Sequence, residues 1–123
     1  MPEILIVDDS KVMREMIAAC LRALPGAALT QASSGLEAIE RLSLKPVDLV
    51  VLDLNMPDIG GIEVVEFVRG QDQLGALPII VVTTRGDEVS RTRALKAGAT
   101  RFMTKPFTPE AILAEARALL PKG

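Results

Sequence analysis

Residues that could do chemistry follow four apolar runs of this sequence, at the point where each run ends. In chain order they are Asp8 and Asp9 after Ile4–Val7, Asp53 after Leu49–Leu52, Thr83 after Ile79–Val82, and Lys105 after Phe102–Met103. If these runs are parallel strands of one sheet, their carboxyl ends share one edge. Three carboxylates, a hydroxyl and an ammonium group would then converge from four strands.

Three carboxylates in one place would repel one another strongly. Two of them about 4 Å apart repel by about 4 kcal/mol at the effective dielectric near a protein surface, and Lys105 alone cannot neutralise three charges. A magnesium ion can, because it takes one or two carboxylates and fills its other positions with water and phosphate oxygens. The set therefore predicts a Mg²⁺ site suited to phosphoryl transfer, with a carboxylate as the nucleophile.

Each of these residues also has an ordinary interpretation when it is taken alone. Asp9 or Ser10 could cap a helix, and Asp53 could be a turn residue. Thr83 suits a strand, and Lys105 could be a solvated surface charge. Because these interpretations are independent of one another, their coincidence on one edge favours a functional site.

The elements that would position this site alternate along the chain with a repeat of about 25 residues. The apolar runs are Ile4–Val7, Ala28–Ala32, Leu49–Leu52, Ile79–Val82 and Phe102–Met103. Several are continuous and rich in Val, Ile and Leu, which is typical of strands buried on both faces of a parallel sheet.

Helical patterns lie between and after these runs. The first pattern carries Met13, Met16, Ile17, Cys20, Leu21 and Leu24, and Pro25-Gly26 is expected to stop it. The second carries Leu36, Ile39 and Leu42, the third Ile62, Val65 and Val68, the fourth Val89, Ala94, Leu95 and Ala97, and the fifth Ile112, Ala116, Leu119 and Leu120. Ser34 and Thr108 are predicted N-caps, and Gly98 is predicted to end the fourth helix. Five βα units predict a three-layer α/β sandwich with right-handed crossovers.

Length and composition limit the classes of protein that the chain could be. The 123 residues suit one domain, 1–123, and only residues 121–123 follow the fifth helix, so we expect no output domain. The net charge of -2 argues against a nucleic-acid-binding face. Without a leader or a long apolar run, the expected location is the cytoplasm, away from membranes. With no histidine and one cysteine, we expect no zinc, haem or iron–sulfur site within one chain, and histidine-based catalysis is excluded.

A set of short motifs gives the chain a resemblance to a known family. The motifs are Asp8-Asp9, Asp53-Leu54-Asn55-Met56-Pro57, Gly61, Thr83, Ala97-Gly98-Ala99 and Lys105-Pro106-Phe107. In this order and spacing the chain resembles the receiver domains of two-component response regulators, most closely the stand-alone chemotaxis-type regulator, from about Glu3 to Leu120. The resemblance implies a doubly wound (βα)5 fold of the flavodoxin-like type, with five parallel strands in the order 2-1-3-4-5.

The resemblance also implies a role for each matching residue. Asp53 would accept a phosphoryl group from a histidine kinase. Asp9, Asp53 and the carbonyl of Asn55 would bind Mg²⁺ directly, and Asp8 mainly through water. Lys105 and Thr83 would contact the phosphoryl oxygens. Phe102 matches a switch position that turns inward with Thr83, although a core residue is the alternative. The Lys105-Pro106 peptide bond would be cis.

The partner surface follows from the resemblance less directly. The family suggests the face around the fourth helix, fifth strand and fifth helix, read by a downstream partner protein, with the regulator acting as a monomer. Arg91, Arg93 and Lys96 could form a basic docking patch there, or only a solvated helix face. Gly60 departs from the family, where many relatives carry an aspartate, so the third helix should begin with a weaker cap.

Three other functions compete with this interpretation. A magnesium-dependent phosphohydrolase would need a second carboxylate where Asn55 stands. A flavodoxin-like electron carrier would need phosphate-binding groups after the first strand, where Asp8-Asp9 would repel the phosphate. A receiver-like interaction module that no longer accepts phosphate would be expected to lack some of the residues above, and all of them are present.

Overall fold

Five strands and five helices alternate along the chain in the computed structural model, which describes residues 2–84 and 86–120. In order they are β1 Glu3–Val7, α1 Lys11–Leu21, β2 Ala28–Ala32, α2 Gly35–Leu44, β3 Leu49–Leu52, α3 Gly61–Gly70, β4 Ile79–Thr83, α4 Glu88–Ala97, β5 Arg101–Thr104 and α5 Pro109–Leu119. Each predicted apolar run forms a strand, and each helical pattern forms a helix.

The strands form one parallel sheet in the order β2-β1-β3-β4-β5. Leu5 of β1 lies between Thr30 of β2 and Val50 of β3, and Thr83 of β4 lies opposite Thr104 of β5. The predicted fold, a flavodoxin-like (βα)5 sandwich, is confirmed. Since β1, β3 and β4 occupy the centre of the sheet, their carboxyl ends stand side by side.

Successive residues of each central strand point to opposite faces of the sheet, and each face has its own core. Leu5 and Val7 pack on the side of α2, α3 and α4, whereas Ile4 and Ile6 pack on the side of α1 and α5. Both sides are buried, which explains why the strands read as continuous apolar runs rather than alternating ones.

The predicted helix caps are present. The hydroxyls of Ser34 and Thr108 accept hydrogen bonds from the backbone N–H groups of Glu37 and Ala111, both at 3.1 Å. Gly98 ends α4 with φ of 120°, a left-handed conformation that favours glycine. Ser10 caps α1 by accepting a hydrogen bond from the N–H of Met13 at 3.2 Å, so the capping role falls to Ser10 and not to Asp9.

The helices differ from the sequence prediction in several details. Helix α1 ends at Leu21 rather than at Pro25-Gly26, because Pro25 has no N–H to donate to the carbonyl of Leu21 and its ring clashes with that carbonyl. Leu24 nevertheless stays buried, in the turn that follows. Helix α4 buries only Ala94, and its apolar residue Val89 is 67% exposed. The apolar pattern therefore predicted the existence of α4 but not which face it buries.

Candidate functional site

Asp8, Asp9 and Asp53 meet at the carboxyl edge of the sheet, where β1 and β3 end side by side. One oxygen from each carboxylate lies within 4.8 Å of the other two. We call these three residues the acidic corner. The predicted convergence of the three aspartates is thus present in the structure.

Lys105 reaches this corner from the end of β5. Its Nζ lies 2.8 Å from Oδ2 of Asp8 and 3.7 Å from Oδ2 of Asp53. The backbone of Lys105 is held against β4, because its N–H donates to the carbonyl of Thr83 at 2.8 Å. The Lys105-Pro106 peptide bond is cis, as the resemblance implied. The lysine side chain therefore crosses the ends of β4 and β3 to pair with two carboxylates.

The three carboxylates differ in their surroundings. Asp8 is 1% exposed, and its Oδ1 accepts a hydrogen bond from the N–H of Ser10 at 2.9 Å. Asp53 is 6% exposed, whereas Asp9 is open to solvent. Asp8 and Asp53 therefore form the buried part of the acidic corner, and Asp9 forms its exposed side, through which a ligand can enter.

The electrostatics of the corner show most clearly at Asp53. Burial raises the pKa of its carboxyl above the ordinary value, the ammonium of Lys105 opposes that shift, and the negative charge of Asp8 adds to it. One ammonium faces three carboxylates, so an excess of negative charge remains. A hard cation would relieve this excess, and three carboxylate oxygens are ligands that such a cation prefers.

Asn55 connects the acidic corner to Thr83. Its N–H lies 3.4 Å from Oδ1 of Asp53, and its Nδ2 donates to the hydroxyl oxygen of Thr83 at 3.3 Å. Thr83 itself is fully buried at the end of β4. The side chain of Asn55 therefore contacts the residue expected to move when a phosphoryl group arrives, a contact that the sequence did not predict.

Asp58 and Gly61 hold the second half of the loop between β3 and α3. The carboxylate of Asp58 accepts hydrogen bonds from the N–H groups of Gly35 and Leu36, at 3.2 and 3.0 Å, which ties the loop to the start of α2. These hydrogen bonds, the one from Leu36 first, lower the pKa of Asp58. Gly61 lies so close to the end of β3 that a Cβ atom there would be 2.5 Å from the carbonyl oxygen of Asp53.

Phe102 is half-buried on β5, opposite Val81 of β4, and packs at the margin of the core beneath α4. Its side chain is neither fully inside the core nor fully in solvent. This placement is compatible with both of its sequence interpretations, a switch and a core residue.

Arg14, Gln31 and Asp58 take part in holding the site, and sequence reasoning missed all three. Arg14 donates from its guanidinium to the backbone carbonyl of Asp8 at 2.7 Å and to Oε1 of Gln31 at 3.0 Å. The only available signal was the polar residue Arg14 beside the apolar stripe of the first helix.

Comparison with known proteins decides the family. Residues 4–117 match the profile of the response regulator receiver domain. The chain belongs to the response regulator receiver domain family. Such receivers are the signalling phosphoacceptors of two-component systems.

Three similar receivers are named as chemotaxis proteins. A chemotaxis protein CheY homolog from Campylobacter jejuni is 36% identical over 122 residues, which are 98% of this chain and 94% of that protein. Chemotaxis protein CheY1 from Helicobacter pylori is 36% identical over 111 residues, covering 89% and 90%. The crystal structure of Vibrio cholerae CheY4 superposes on this receiver with a TM-score of 0.89 at 33% identity, covering 98% and 99% of the two chains. Within residues 2–84 and 86–120, no helix is long and apolar enough to cross a membrane.

Proposed function

We propose that this receiver is a phosphorylation-operated switch in which Asp53 accepts a phosphoryl group from a histidine kinase. The observation that carries the proposal is the geometry of the acidic corner. Three carboxylates lie within 4.8 Å of one another, with the ammonium of Lys105 at 2.8 Å from Asp8 and 3.7 Å from Asp53. A carboxylate nucleophile beside a cation, in a corner that is still excessively negative, suits magnesium-assisted phosphoryl transfer.

The oxygen chemistry of the corner fits Mg²⁺. Asp9, Asp53 and the backbone carbonyl of Asn55 would hold the ion, with Asp8 acting mainly through water. When bound, Mg²⁺ supplies positive charge that neutralises the oxygens of the incoming phosphoryl group. A negative corner would otherwise repel that group.

The chain's own residues would then carry out the transfer. An oxygen of Asp53 attacks the phosphorus, the bond from phosphorus to the kinase histidine breaks, and an acyl phosphate forms on Asp53. Lys105, already 3.7 Å from Asp53, can exchange part of its pairing with Asp8 for the phosphoryl oxygens. The receiver would in this way assist its own phosphorylation and dephosphorylation, without acting on a small-molecule substrate. A phosphohydrolase is disfavoured because Asn55 cannot donate a proton to a leaving alcohol.

The signal would be read on the face formed by α4, β5 and α5. Thr83 would move toward the phosphoryl group and give up its hydrogen bond from Asn55, and Phe102 would turn into the space beneath α4. On α4, Arg91, Arg93 and Lys96 are exposed and form no ion pair with another residue of the described parts of the chain. Together with the exposed Val89 and Leu95, they suit a partner segment that carries acidic and apolar residues.

Chemotaxis-type signalling is the pathway that we propose. The Campylobacter and Helicobacter relatives are named as chemotaxis proteins, and this chain matches 94% and 90% of their lengths. In that role residues 1–123 would act as a single, monomeric receiver domain in the cytoplasm, with its output read by a separate protein.

Intact-mass spectrometry would test the phosphorylation. With Mg²⁺ and acetyl phosphate, we expect the mass to increase by one phosphoryl group, and chelation of the metal should prevent the increase. Asp53→Asn should abolish it, because the amide cannot form an acyl phosphate.

Asp72→Asn is the matched control, since it removes one exposed carboxylate away from the acidic corner and should be phosphorylated like the wild type. Phosphorylation of Asp53→Asn to the wild-type extent, or none in the wild type, would contradict the proposal.

A further inference from the structure

The two backbone polar groups of Asp8 differ, because its N–H takes part in the sheet and its carbonyl does not. Its N–H still donates to the carbonyl of Ala32 on β2 at 3.2 Å, as the strand ladder requires. Its carbonyl accepts no backbone hydrogen bond from residues 2–84 and 86–120, because β2 ends at Ala32 and the chain turns into α2 at Gly35. The carbonyl of Asp8 therefore needs another donor at the point where the acidic corner begins.

Arg14 supplies that donor. Its Nη1 donates to the carbonyl oxygen of Asp8 at 2.7 Å, and its Nε donates to Oε1 of Gln31 at 3.0 Å. The guanidinium is planar, so the bond to Gln31 on β2 fixes the orientation in which the bond to Asp8 is made. Arg14 thus joins the first turn of α1 to the ends of β1 and β2.

This carbonyl matters because Asp9 is attached to it. Among residues 2–84 and 86–120, the carboxylate of Asp9 has no hydrogen bond or ion pair with a protein group. Its position depends on the two flanking peptide groups. One is held through the carbonyl of Asp8 by Arg14, and the other through the N–H of Ser10 by the carboxylate of Asp8.

We propose that Arg14 is a positioning residue for the cation site, holding the Asp8–Asp9 peptide so that the Asp9 carboxylate faces Asp53. The inference rests on the proposed function, since it assumes that the acidic corner binds Mg²⁺. Groups that orient metal ligands commonly change metal affinity by 10- to 100-fold when they are removed.

Charge and position predict opposite effects for the loss of Arg14. A cation close to the acidic corner repels Mg²⁺, so removing its charge alone would tighten Mg²⁺ binding. Removing the hydrogen bond to Asp8 frees the Asp9 peptide and weakens binding. The direction of the change in affinity therefore separates the two roles.

The test is a Mg²⁺ titration of the full chain followed by NMR, using the backbone amides of residues 8–10. Arg14→Met should weaken Mg²⁺ binding by about tenfold. Arg14→Lys, which keeps the charge and can make one of the two hydrogen bonds, should fall between Arg14→Met and the wild type. Gln31→Ala, which removes only the lateral anchor, should weaken binding by a smaller factor.

Lys11→Met is the matched control, because it removes the same charge from an exposed position in the same turn of α1. It should leave Mg²⁺ binding unchanged or slightly tighter. In the acetyl phosphate reaction, Arg14→Met should raise the Mg²⁺ concentration needed for half-maximal rate while leaving the rate at saturating Mg²⁺ nearly unchanged, which a general loss of folded protein would not do.

Arg14→Met binding Mg²⁺ as tightly as the wild type, or more tightly, would overturn the inference. Should Arg14→Met fail to fold, Arg14→Lys and Gln31→Ala decide the question by the same criterion. A wild type that binds Mg²⁺ but accepts no phosphoryl group would overturn the proposed function alone. A wild type that binds no Mg²⁺ would overturn both.

Discussion

Among single residues, Asp53 has a cost to stability: its ionised carboxylate destabilises the folded protein at neutral pH when no metal is bound. Burial and the neighbouring Asp8 raise the pKa of its carboxyl, and Lys105 offsets this only in part. A carboxyl with a higher pKa in the folded chain than in the unfolded chain binds its proton more tightly when folded. Its contribution to stability is therefore best at low pH and declines as the pH rises from about 3.9, the unfolded value, through the folded value.

Replacing this carboxylate should stabilise the metal-free protein at neutral pH. Asp53→Asn keeps the shape and removes the charge, so we expect Tm to rise by several degrees, since about 1 kcal/mol corresponds to roughly 4 °C in a domain of this size. The difference from the wild type should disappear below about pH 3.9, where both forms are neutral. Thermal unfolding by circular dichroism in the presence of a chelator would measure it.

Added Mg²⁺ provides the control for this prediction. It should raise the Tm of the wild type more than that of Asp53→Asn, because the neutral amide of the variant is a weaker ligand for Mg²⁺ than the carboxylate. A variant less stable than the wild type at neutral pH without metal would contradict the electrostatic account of the acidic corner.

The residues of the site that could be predicted are those whose position follows from the chain topology. Asp8, Asp53 and Lys105 each come directly after a strand and Thr83 is the last residue of β4, and parallel strands bring such residues to one edge. Arg14 and Asp58 could not be predicted, because they act on backbone atoms, and a backbone carbonyl or N–H leaves no trace in residue types.

At the scale of elements, the start of α3 shows how two adjacent glycines can have different reasons. Gly60 has ordinary backbone angles, and a Cβ atom there would meet only the flexible carboxylate of Glu63, at 3.2 Å. Gly60 lacks a side chain to cap α3, although the carboxylate of Glu63 accepts a hydrogen bond from its N–H at 3.0 Å. A Cβ atom on Gly61 would instead meet the backbone of Asp53 and Leu54, at 2.5 and 2.7 Å.

The same substitution at these two positions should have opposite outcomes. Gly60→Ser supplies a capping hydroxyl and should leave the free energy of unfolding unchanged or raise it by a few tenths of a kcal/mol. Gly61→Ser must push α3 away from the end of β3 and should lower it by about 1–3 kcal/mol. Urea unfolding of both variants measures the difference, and equal stabilities would show that the close approach at Gly61 is not required.

Helices differ in how much of their structure the sequence determines. For α2 and α5, the predicted capping residues are present, and each helix buries part of its predicted apolar stripe. Leu42 of α2 and Ile112 and Ala116 of α5 are buried, whereas Leu36 of α2 is 59% exposed. The apolar residues of α4 do not lie on one face, since Val89 and Leu95 are exposed and only Ala94 is buried. The periodicity of a helix predicts its buried face only when packing is its main constraint.

Across the molecule, the carboxyl and amino ends of the strands have different roles. The acidic corner lies at the carboxyl edge, and Arg69 lies at the amino edge. Its guanidinium donates to the carbonyls of Leu77 at 2.6 Å and Gly98 at 2.9 Å, and to the hydroxyl of Thr100 at 3.3 Å. Arg69 therefore joins α3 to the segments that lead into β4 and β5.

Loss of Arg69 should affect stability without affecting the site. Arg69→Met removes these hydrogen bonds and should lower the free energy of unfolding by about 2 kcal/mol. Because the length of β4 separates Arg69 from the acidic corner, the Mg²⁺ affinity and the phosphorylation rate of the folded protein should be unchanged. Arg22→Met, at an exposed cation, is the control for charge. A loss of Mg²⁺ affinity in Arg69→Met would show that the two edges are coupled.

The exposed side of the acidic corner, at Asp9, would determine how quickly the receiver responds to a change in Mg²⁺ concentration. A magnesium ion would approach the carboxylate of Asp9 and exchange its waters there one at a time, because that carboxylate is exposed in the described structure, residues 2–84 and 86–120. The rate of loading would then be governed by the slow loss of water from Mg²⁺ itself, a property of the ion and not of the protein. Readiness for a phosphoryl donor would consequently follow the free magnesium concentration without any conformational delay.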